Sequence, residues 1–373
     1  MADSHIESLT VKGFRSIRAL ENFHLTPGLN ILIGGNGSGK SNFVSLFAFL
    51  RELVDGRLGI AVGLVDGAER LLYRGGKVTA AIEAEFYFGK NSYGFTLQPT
   101  ANDALMFARE KTAYLAPASH TKMSTEHALG TGHTESRLRE RVDPNVMSVE
   151  SYVYRTMTAW TVYHFHDTTD AARRPMRRAP EQDRRFFRGH AENLAPFLLR
   201  LHAEEREDYE IIRQTIRLAV PSFDDFEFTV EENAKGDRSV LLTWKEVGHD
   251  YPLTLSQFSD GSLRFVCLTV ALMQPRPPAT IIIDEPELGL HPYALSLLAG
   301  MLRQTSKHTQ IIVSTQSPQL LDEFDPGDII VVDKVDGAST FTRLDADQLS
   351  QWLTDYSLGD IWRKNLIGGR PHS

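Results

Sequence analysis

A glycine-rich run near the start of the chain has the composition of a phosphate-binding loop. Residues 34–41 read Gly-Gly-Asn-Gly-Ser-Gly-Lys-Ser, which fits the pattern G-x-x-x-x-G-K-S/T. Glycines let the backbone wrap closely around phosphates, so that amide hydrogens and a following helix N-terminus point at the negative charge. Lys40 is then placed to contact the β- and γ-phosphates, and the Ser41 hydroxyl to bind Mg²⁺. The residues predicted to bind nucleotide here are Gly34, Asn36, Gly37, Ser38, Gly39, Lys40, Ser41 and Asn42.

Two adjacent carboxylates follow an apolar run far downstream. Thr280–Ile283 has the pattern of a buried strand, and Asp284 and Glu285 come directly after it, where open α/β sheets place their ligands. Asp284 would support the Mg²⁺ ion, and Glu285 could orient or deprotonate the attacking water. A solvated Asp-Glu turn is the alternative, and the phosphate loop upstream favours the catalytic interpretation.

A polar turn precedes an apolar helical run in the same part of the chain. Residues Leu255–Ser262 are followed by Leu263–Met273, and such a helix entrance offers hydroxyl and amide donors to an anion. Taken alone, the turn predicts only a helix cap, and its place between the two motifs above makes a phosphate contact the stronger hypothesis.

The hydrophobic pattern supplies elements that could bring these motifs together. Apolar runs predict strands at Ile6–Val11 and Asn30–Ile33, helical spacing begins near Lys40, and alternation over Thr79–Gln98 predicts a β meander. Later elements are predicted as helices over Glu192–Arg217, interrupted near His202, strands at Phe226–Glu231, Val240–Lys245, Thr280–Ile283, Gln310–Val313 and Ile329–Val332, and helices at Tyr293–Thr305 and from Pro318. This final alternation predicts an α/β fold with a largely parallel sheet. Residues 101–150 are polar and receive no assignment.

Composition places the chain among ordinary globular proteins. It has 373 residues, 42% of them hydrophobic, and a net charge of −8, so it does not resemble binders of nucleic acid whose whole surface is cationic. Cys267 is the only cysteine, which excludes an intrachain disulfide and a zinc site built from cysteines. No run approaches the roughly 20 apolar residues of a membrane helix. We therefore expect a soluble, cytoplasmic protein without membrane insertion.

These motifs together resemble a known family. The chain looks like the ATP-binding-cassette (ABC-type) branch of the phosphate-loop ATPases, and within it the RecF/SMC-like and OLD-like heads often labelled AAA-family predicted ATPases. Besides the Walker A loop, the resemblance lies in Gly13-Phe14-Arg15-Ser16, the shortened signature Ser259-Asp260-Gly261, the Walker B and D-loop segment Asp284–Pro292, the switch segment Ser314–Pro318, Tyr163–Thr168, and Tyr356–Trp362 with Gly368-Gly369. It covers nearly the whole chain, more loosely over residues 100–250.

The resemblance implies an ABC-type ATPase head with a mainly parallel core sheet, an antiparallel β subdomain and an inserted helical or irregular middle region. We expect an N-terminal lobe over residues 1–100, an inserted lid or helical subdomain over 101–225, and a C-terminal lobe over 226–373. No sustained heptads predict a coiled-coil arm, and no Toprim nuclease segment is recognisable.

The resemblance also implies that two heads sandwich two ATP molecules, so that Ser259 and Gly261 act on the nucleotide of the partner in an ATP-dependent homodimer. Glu285, Gln316 and Lys40 are the expected catalytic residues. Gln316 stands where the family commonly has a histidine; its amide can donate a hydrogen bond but cannot titrate near neutral pH. Gln98 is the candidate for the Q-loop, with an ordinary surface glutamine as the alternative.

A run of basic residues lies between Arg173 and Arg188, with Phe186 and Phe187 interleaved. It could bind DNA or RNA, contact an acidic protein, or form a solvated or internally paired loop. His164, His166 and Asp167 could in principle ligate a metal, although polar structural roles are sufficient for them.

The sequence thus predicts a Mg²⁺-dependent ATP hydrolase. The resemblance extends this to an ATP-sandwiched dimer that acts as a switch in DNA-associated genome maintenance or anti-phage (antiviral) defence, with a separately encoded effector protein. The alternative is an ATP-sensing scaffold of low turnover that binds and restrains an effector. A transporter ATPase and a standalone nuclease are less favoured.

Overall fold

Three β-sheets and the helices between them make up the described part of the chain. The computed structural model describes residues 5–115, 124–143, 145–165, 169–349 and 351–369. Two of the sheets have six strands, and the third has four. The larger sheets lie on either side of the helix that follows the phosphate loop, and they position the site.

The central sheet has the order β16-β15-β3-β14-β13-β8. Its strands are β3 (Leu29–Ile33), β8 (Trp160–Tyr163), β13 (Thr280–Asp284), β14 (Gln310–Thr315), β15 (Ile329–Val335) and β16 (Ala338–Arg343). All neighbours pair in parallel except β15 with β16. The inner strands read as continuous apolar runs because helices or a second sheet cover both faces.

The other two sheets are antiparallel. The larger one has the order β2-β1-β4-β5-β6-β7, and in the smaller one β11 pairs with β9, β10 and β12. Their strands are β1 (Ser8–Phe14), β2 (Ile17–His24), β4 (Ile82–Phe88), β5 (Asn91–Pro99), β6 (Leu105–Leu115), β7 (Ser124–Gly130), β9 (Arg178–Pro180), β10 (Phe223–Glu232), β11 (Arg238–Glu246) and β12 (Leu253–Thr254).

The helices are short, and none in the described ranges is long and apolar enough to cross a membrane. They are α1 (Lys40–Val54), α2 (Leu58–Gly63), α3 (Val149–Thr158), α4 (Asp170–Arg177), α5 (Leu194–Glu204), α6 (Arg206–Ala219), α7 (Asp260–Met273), α8 (Pro292–Thr305), α9 (Pro318–Leu321), α10 (Ala346–Leu349) and α11 (Leu358–Arg363).

Two apolar cores cover opposite faces of the central sheet. Leu32 and Ile282 point into the core shared with α1 and the large antiparallel sheet, whereas Ile31 and Ile281 point into the core shared with α7 and α8. Alternate residues of a strand face opposite sides, so each inner strand contributes to both cores. Packing on both faces therefore fixes the ends of these strands, and the phosphate loop and the two adjacent carboxylates lie at those ends.

The predicted fold class is confirmed: the protein is α/β, with a mainly parallel central sheet and an antiparallel β region. Residues 101–150, which the sequence left unassigned, contain β6, β7 and the start of α3. The break predicted near His202 falls at Glu205, between α5 and α6. The division into residues 1–100, 101–225 and 226–373 stays a prediction; strands on both sides of residue 100 share one sheet.

A buried glutamine joins the two large sheets. Gln310, the first residue of β14, is 1% exposed. Its Nε2 donates to the carbonyl oxygens of Ile6 and Thr26, both at 2.8 Å, and its Oε1 accepts from the Ile6 N–H at 3.0 Å. Because the chain just before β1 would otherwise bury unpaired backbone groups, this side chain fixes the N-terminal strand against the central sheet.

We predict that Gln310→Leu lowers the free energy of unfolding by about 2–3 kcal/mol, because it leaves several buried backbone groups without a hydrogen-bond partner. Urea titration followed by circular dichroism measures the change. The matched control is Gln214→Leu on the exposed side of α6, which should change stability by no more than about 0.5 kcal/mol. Equal stability of the two variants would contradict the assigned role of Gln310.

Candidate nucleotide site

The phosphate loop lies between a buried strand and a buried helix. β3 is enclosed by β14 and β15, and each of its residues is buried. Gly39 caps α1 with a backbone φ of 114°, a conformation that residues other than glycine rarely adopt. A Cβ at Gly39 would also collide with the Ser339 hydroxyl. The predicted order of strand, loop and helix is therefore present, with glycine where the backbone requires it.

Two serines outside the loop hold its backbone in place. The Ser339 hydroxyl donates to the Ser38 carbonyl at 2.6 Å and contacts the Ser16 hydroxyl at 2.8 Å. The Asn42 side chain in turn donates to Ser16 at 2.7 Å. Ser16 belongs to the segment Gly13-Phe14-Arg15-Ser16, which is part of the family resemblance. Ser339 carries no sequence signal, since only the β15–β16 hairpin brings it to the loop.

The C-terminal turn also reaches the phosphate loop. The Gly35 N–H donates to the Gly369 carbonyl at 2.5 Å, and the Gly369 N–H donates to the carboxylate of Asp333, on β15, at 3.2 Å. Glycines at 368 and 369 were part of the sequence resemblance, but their contact with the loop could not be derived from it. The first turn of the loop is thus supported from the opposite end of the chain.

Lys40 is folded back over the loop. It is 4% exposed, and its Nζ donates to the carbonyls of Gly34 at 2.7 Å and Gly35 at 3.1 Å. Burial lowers the pKa of its ammonium group, against the attraction of the nearby carboxylates of Glu285 and Asp284. A phosphate chain entering the loop would offer this cation stronger, charged acceptors than the two carbonyls.

Asp284, the last residue of β13, lies beside the loop serine. The Ser41 hydroxyl donates to Asp284 Oδ1 at 3.4 Å, and the Ser314 hydroxyl donates to the same oxygen. A hydroxyl and a carboxylate are the hard oxygen ligands that Mg²⁺ prefers. This donor set therefore fits a Mg²⁺ ion held between Ser41 and Asp284.

Glu285 has an unusual backbone and a defined partner. Its φ of 41° lies in the left-handed region, which costs an L-residue about 1–2 kcal/mol, and its N–H donates to the Ser314 carbonyl at 2.9 Å. The Gln316 side-chain amide donates to the Glu285 carboxylate. The structure therefore brings together Glu285 and Gln316, which the sequence placed 31 residues apart.

A third carboxylate, Glu287, was not predicted as a site residue from the sequence, although it lies within the Walker B and D-loop segment. Its Oε1 accepts from the Thr315 hydroxyl at 2.6 Å and from the Gln316 N–H at 2.8 Å, whereas its Oε2 is buried without a hydrogen-bond partner. Burial raises the pKa of the Glu287 carboxyl. Glu287 thus fixes the backbone of the switch segment from which the Gln316 side chain reaches Glu285.

The signature segment lies on the surface at the start of α7. Ser259 is exposed and caps the helix, accepting from the Ser262 N–H at 3.1 Å. No hydrogen bond within the described residues links Ser259 to the phosphate loop. Gly261 packs so closely on the D-loop that a Cβ there would collide with the Gly289 carbonyl. The glycine is therefore required for packing within one chain, whatever it contributes to a nucleotide.

A cleft of about 730 Å³ opens beside the phosphate loop, with Ser16 and Asn42 in its wall. Its charged lining comprises Arg15, Asp66, Glu69, Arg70, Arg74 and Lys334. Cations outnumber acids in this lining, and burial lowers the pKa of the Arg15 guanidinium. The cleft is thus a basic cavity that continues from the phosphate loop towards the large antiparallel sheet.

The arginine run is more internally paired than its composition suggests. Four of its arginines form ion pairs: Arg173 with Asp260, Arg178 with Glu231, Arg184 with Glu204 and Arg188 with Asp183. In the described residues, Arg174, Arg177 and Arg185 have no carboxylate partner, and Arg185 lies 5.0 Å from the centroid of the exposed Phe186 ring. All three are exposed, and we call them together the exposed arginine face.

The remaining candidates are the possible metal ligands and the Q-loop glutamine. His164 stacks on His190, with ring centroids 5.6 Å apart, while His166 and Asp167 lie outside the described residues. The structure, over its described ranges, has no group of three or more His, Cys, Asp or Glu side chains suited to a metal. Gln98 is exposed on β5, so its assignment to a Q-loop stays a prediction.

Comparisons with known proteins agree with this geometry. The family model described as "AAA domain, putative AbiEii toxin, Type IV TA system" matches residues 29–322. An Smc head domain with an extended coiled coil, derived from Pyrococcus furiosus and bound to the C-terminal domain of ScpA, superposes with a TM-score of 0.54 at 16% identity, over 94% of this chain and 99% of that one. At this identity the likeness shows the fold alone.

Curated relatives match over shorter segments. The DNA replication and repair protein RecF of Renibacterium salmoninarum is 37% identical over 75 residues, which are 20% of this chain and 19% of RecF. Urease accessory protein 2 of Cryptococcus neoformans var. grubii is 33% identical over 110 residues, which are 28% of this chain and 8% of that protein. This chain therefore spans less than a quarter of the length of either relative.

The family model covers most of the chain, and the matched range contains the phosphate loop, the signature, the Walker B strand and the switch segment. The chain belongs to this AAA-domain family, and it is an ABC-type ATPase head of the RecF/SMC branch.

Proposed function

We propose that ATP hydrolysis occurs where three parallel strands end, and that a second copy of the chain completes the site. The observation that carries this proposal is the convergence of Lys40, Ser41, Asp284, Glu285 and Gln316 at the ends of β3, β13 and β14. Ligands of open α/β sheets bind at this edge. The convergence supplies a cation, two metal-binding oxygens and a carboxylate within one site.

Each residue then has a role that its contacts support. Lys40 leaves the carbonyls of the loop and neutralises charge on the β- and γ-phosphates. Glu285 accepts a proton from the attacking water, and Gln316 holds that carboxylate in place through its amide N–H. Because a side-chain amide does not titrate near neutral pH, Gln316 orients Glu285 and does not carry the proton itself.

The predicted Mg²⁺ fits the same site. Ser41 and Asp284 would hold it, with Ser314 orienting the carboxylate. When bound, the ion neutralises charge on the β- and γ-phosphate oxygens. The basic cleft beside Ser16 and Asn42 lies next to the loop and is large enough for the base and sugar of the nucleotide.

The surface around the signature supports a role for a second copy. Ser259 is exposed at the N-terminus of α7, where free amides and the helix dipole favour an anion. The neighbouring D-loop region exposes two apolar side chains, Leu288 at 40% and Tyr293 at 54%. In the proposed homodimer, the γ-phosphate bound by one copy meets Ser259 and Gly261 of the other, and these apolar groups become covered.

The biological setting is proposed from the relatives. RecF is named for DNA replication and repair, and the family description names a toxin of a Type IV TA system. We propose a cytoplasmic ATP-driven switch in DNA-associated genome maintenance or anti-phage defence, with a separately encoded effector. The engagement of Glu285 by the uncharged Gln316 favours one alternative, an ATP-sensing scaffold of low turnover that restrains the effector.

The first prediction about function concerns Glu285→Gln. The amide can still accept the hydrogen bond from Gln316 but cannot take a proton, so we expect ATP binding to persist and turnover to fall about 100-fold or more. Phosphate release and sedimentation with ATP measure turnover and dimer accumulation. The control is Glu140→Gln, at an exposed position. Normal turnover of Glu285→Gln would contradict the role of Glu285. If the unmodified protein dimerises with ATP but has negligible turnover, the scaffold alternative is favoured.

The second prediction tests whether the signature acts on the partner's nucleotide. Ser259→Arg should block that contact and Lys40→Ala should remove phosphate binding, so each variant alone should lose ATPase activity. Mixed together, they should regain activity, because a mixed pair has one intact phosphate loop facing one intact signature. If the mixture stays inactive while both variants remain folded by circular dichroism, or if Ser259→Arg hydrolyses ATP normally as a monomer, the shared site is wrong.

The third prediction concerns nucleic acid at the exposed arginine face. Arg177→Ala combined with Arg185→Ala should reduce the slope of log affinity for a short DNA duplex against log salt concentration by about 2. Fluorescence anisotropy at several salt concentrations measures the slope. The control, Lys77→Ala with Lys307→Ala, removes the same charge from exposed positions elsewhere. Equal slopes for both double variants would remove this face as a nucleic-acid site.

A further inference from the structure

We propose that Arg173, the first arginine of the basic run, is a positioning residue for the signature segment, which we define as residues 255–261. This inference rests on the proposed two-copy site, because it assigns Arg173 the task of presenting Ser259 and Gly261 to the partner's nucleotide. Arg173 lies on α4, yet it is only 9% exposed. Its guanidinium therefore does not belong to the exposed arginine face.

The contacts of Arg173 follow the signature segment residue by residue. Its Nη1 lies within hydrogen-bond distance of three carbonyl oxygens, at 3.4 Å from Leu255, 3.1 Å from Ser256 and 3.3 Å from Phe258. Its Nη2 donates to the carboxylate of Asp260 at 2.5 Å. One side chain thus contacts the segment on both sides of Ser259.

These contacts require an arginine. The guanidinium is planar and carries five N–H donors in a fixed arrangement, so the directions of the carbonyls and of Asp260 are set relative to one another. A lysine ammonium has three donors on a flexible stem and cannot reproduce that geometry. Phe258 and Asp260 flank Ser259, and fixing both fixes the hydroxyl and the first amides of α7.

The body of α7 is held by contacts separate from those at its entrance. Arg264, one turn along the helix, donates from Nε to the Phe165 carbonyl at 2.9 Å and from Nη1 to the Leu288 carbonyl of the D-loop. Those contacts fix the body of the helix. The turn before Ser259 is also held by a local capping box between Thr254 and Gln257 and by Phe258, which stacks on Trp244 with ring centroids 4.2 Å apart. Neither contact joins the turn to α4, whereas the Arg173 hydrogen bonds do.

Charge also favours this arrangement. A buried cation beside a helix N-terminus is repelled by the helix dipole, and the carboxylate of Asp260 lies between them and offsets that repulsion. An aspartate in the first turn of α7 is therefore matched to the arginine on α4. The pair has no net charge, so it supports the signature without adding net charge to the surface that the partner would meet, although the Asp260 side chain itself is exposed.

The test compares arginines of the same run in the Glu285→Gln background. Arg173→Ala should weaken ATP-dependent dimerisation at least tenfold and increase amide hydrogen exchange over residues 255–262 in the nucleotide-free protein. Binding of a fluorescent ATP analogue to the phosphate loop of the monomer should stay unchanged. The matched control is Arg178→Ala, which removes an ion-paired arginine at the surface and should leave all three readouts unchanged.

Arg173→Lys and Asp260→Asn keep the test decisive if Arg173→Ala does not fold. Arg173→Lys retains the charge and should still weaken dimerisation and increase exchange over residues 255–262, while Asp260→Asn should have a smaller effect in the same direction. Native dimerisation and native exchange in Arg173→Lys, or equal defects in Arg178→Ala, would overturn the proposal. If Glu285→Gln itself does not dimerise with ATP, the shared site fails, and the exchange comparison still decides whether Arg173 positions the segment.

Discussion

The parallel pairing of β3, β14 and β13 is the constraint on which the site depends. In this register Asp284 is level with Ser314, and Thr315 is level with Ile33, the last residue before the phosphate loop. A shift by one residue would turn every side chain to the opposite face of the sheet. The separation of 3.4 Å between the Ser41 hydroxyl and Asp284 is therefore a consequence of strand pairing, and the two apolar cores that fix the pairing also fix the chemistry.

Local motifs could be predicted from the sequence because their physical requirements are local. A buried strand followed by glycines and Lys40 indicates a phosphate loop, and the apolar run before Asp284 indicates a strand end at the ligand edge. Ser339 could not be found in this way, since only tertiary structure brings it to Ser38. Glu287 was missed because a carboxylate after a proline resembles a turn residue until its buried contact with the switch segment is seen.

Charge patterns were the least informative part of the sequence. The run of seven arginines left open a nucleic-acid contact, a contact with an acidic protein and a solvated or internally paired loop, and in the structure Arg173 faces inward and three others are paired with carboxylates. Composition cannot distinguish these cases, because pairing partners such as Glu231 and Glu204 lie far along the chain or on another element. Strands β6 and β7 were similarly hidden, since polar residues on an exposed part of an antiparallel sheet give a weak strand signal.

The position of β3 between two late strands also has a consequence for how the protein is made. Asn30, on β3, contacts a β14 residue 281 positions later in the chain, and Gly35 is paired with Gly369. At the usual rates of synthesis, an interval on the order of tens of seconds separates the emergence of these segments. A nascent chain that has already exposed its phosphate loop therefore has no sheet on which to build the site, and nucleotide can stabilise the fold only after translation has reached the final strands.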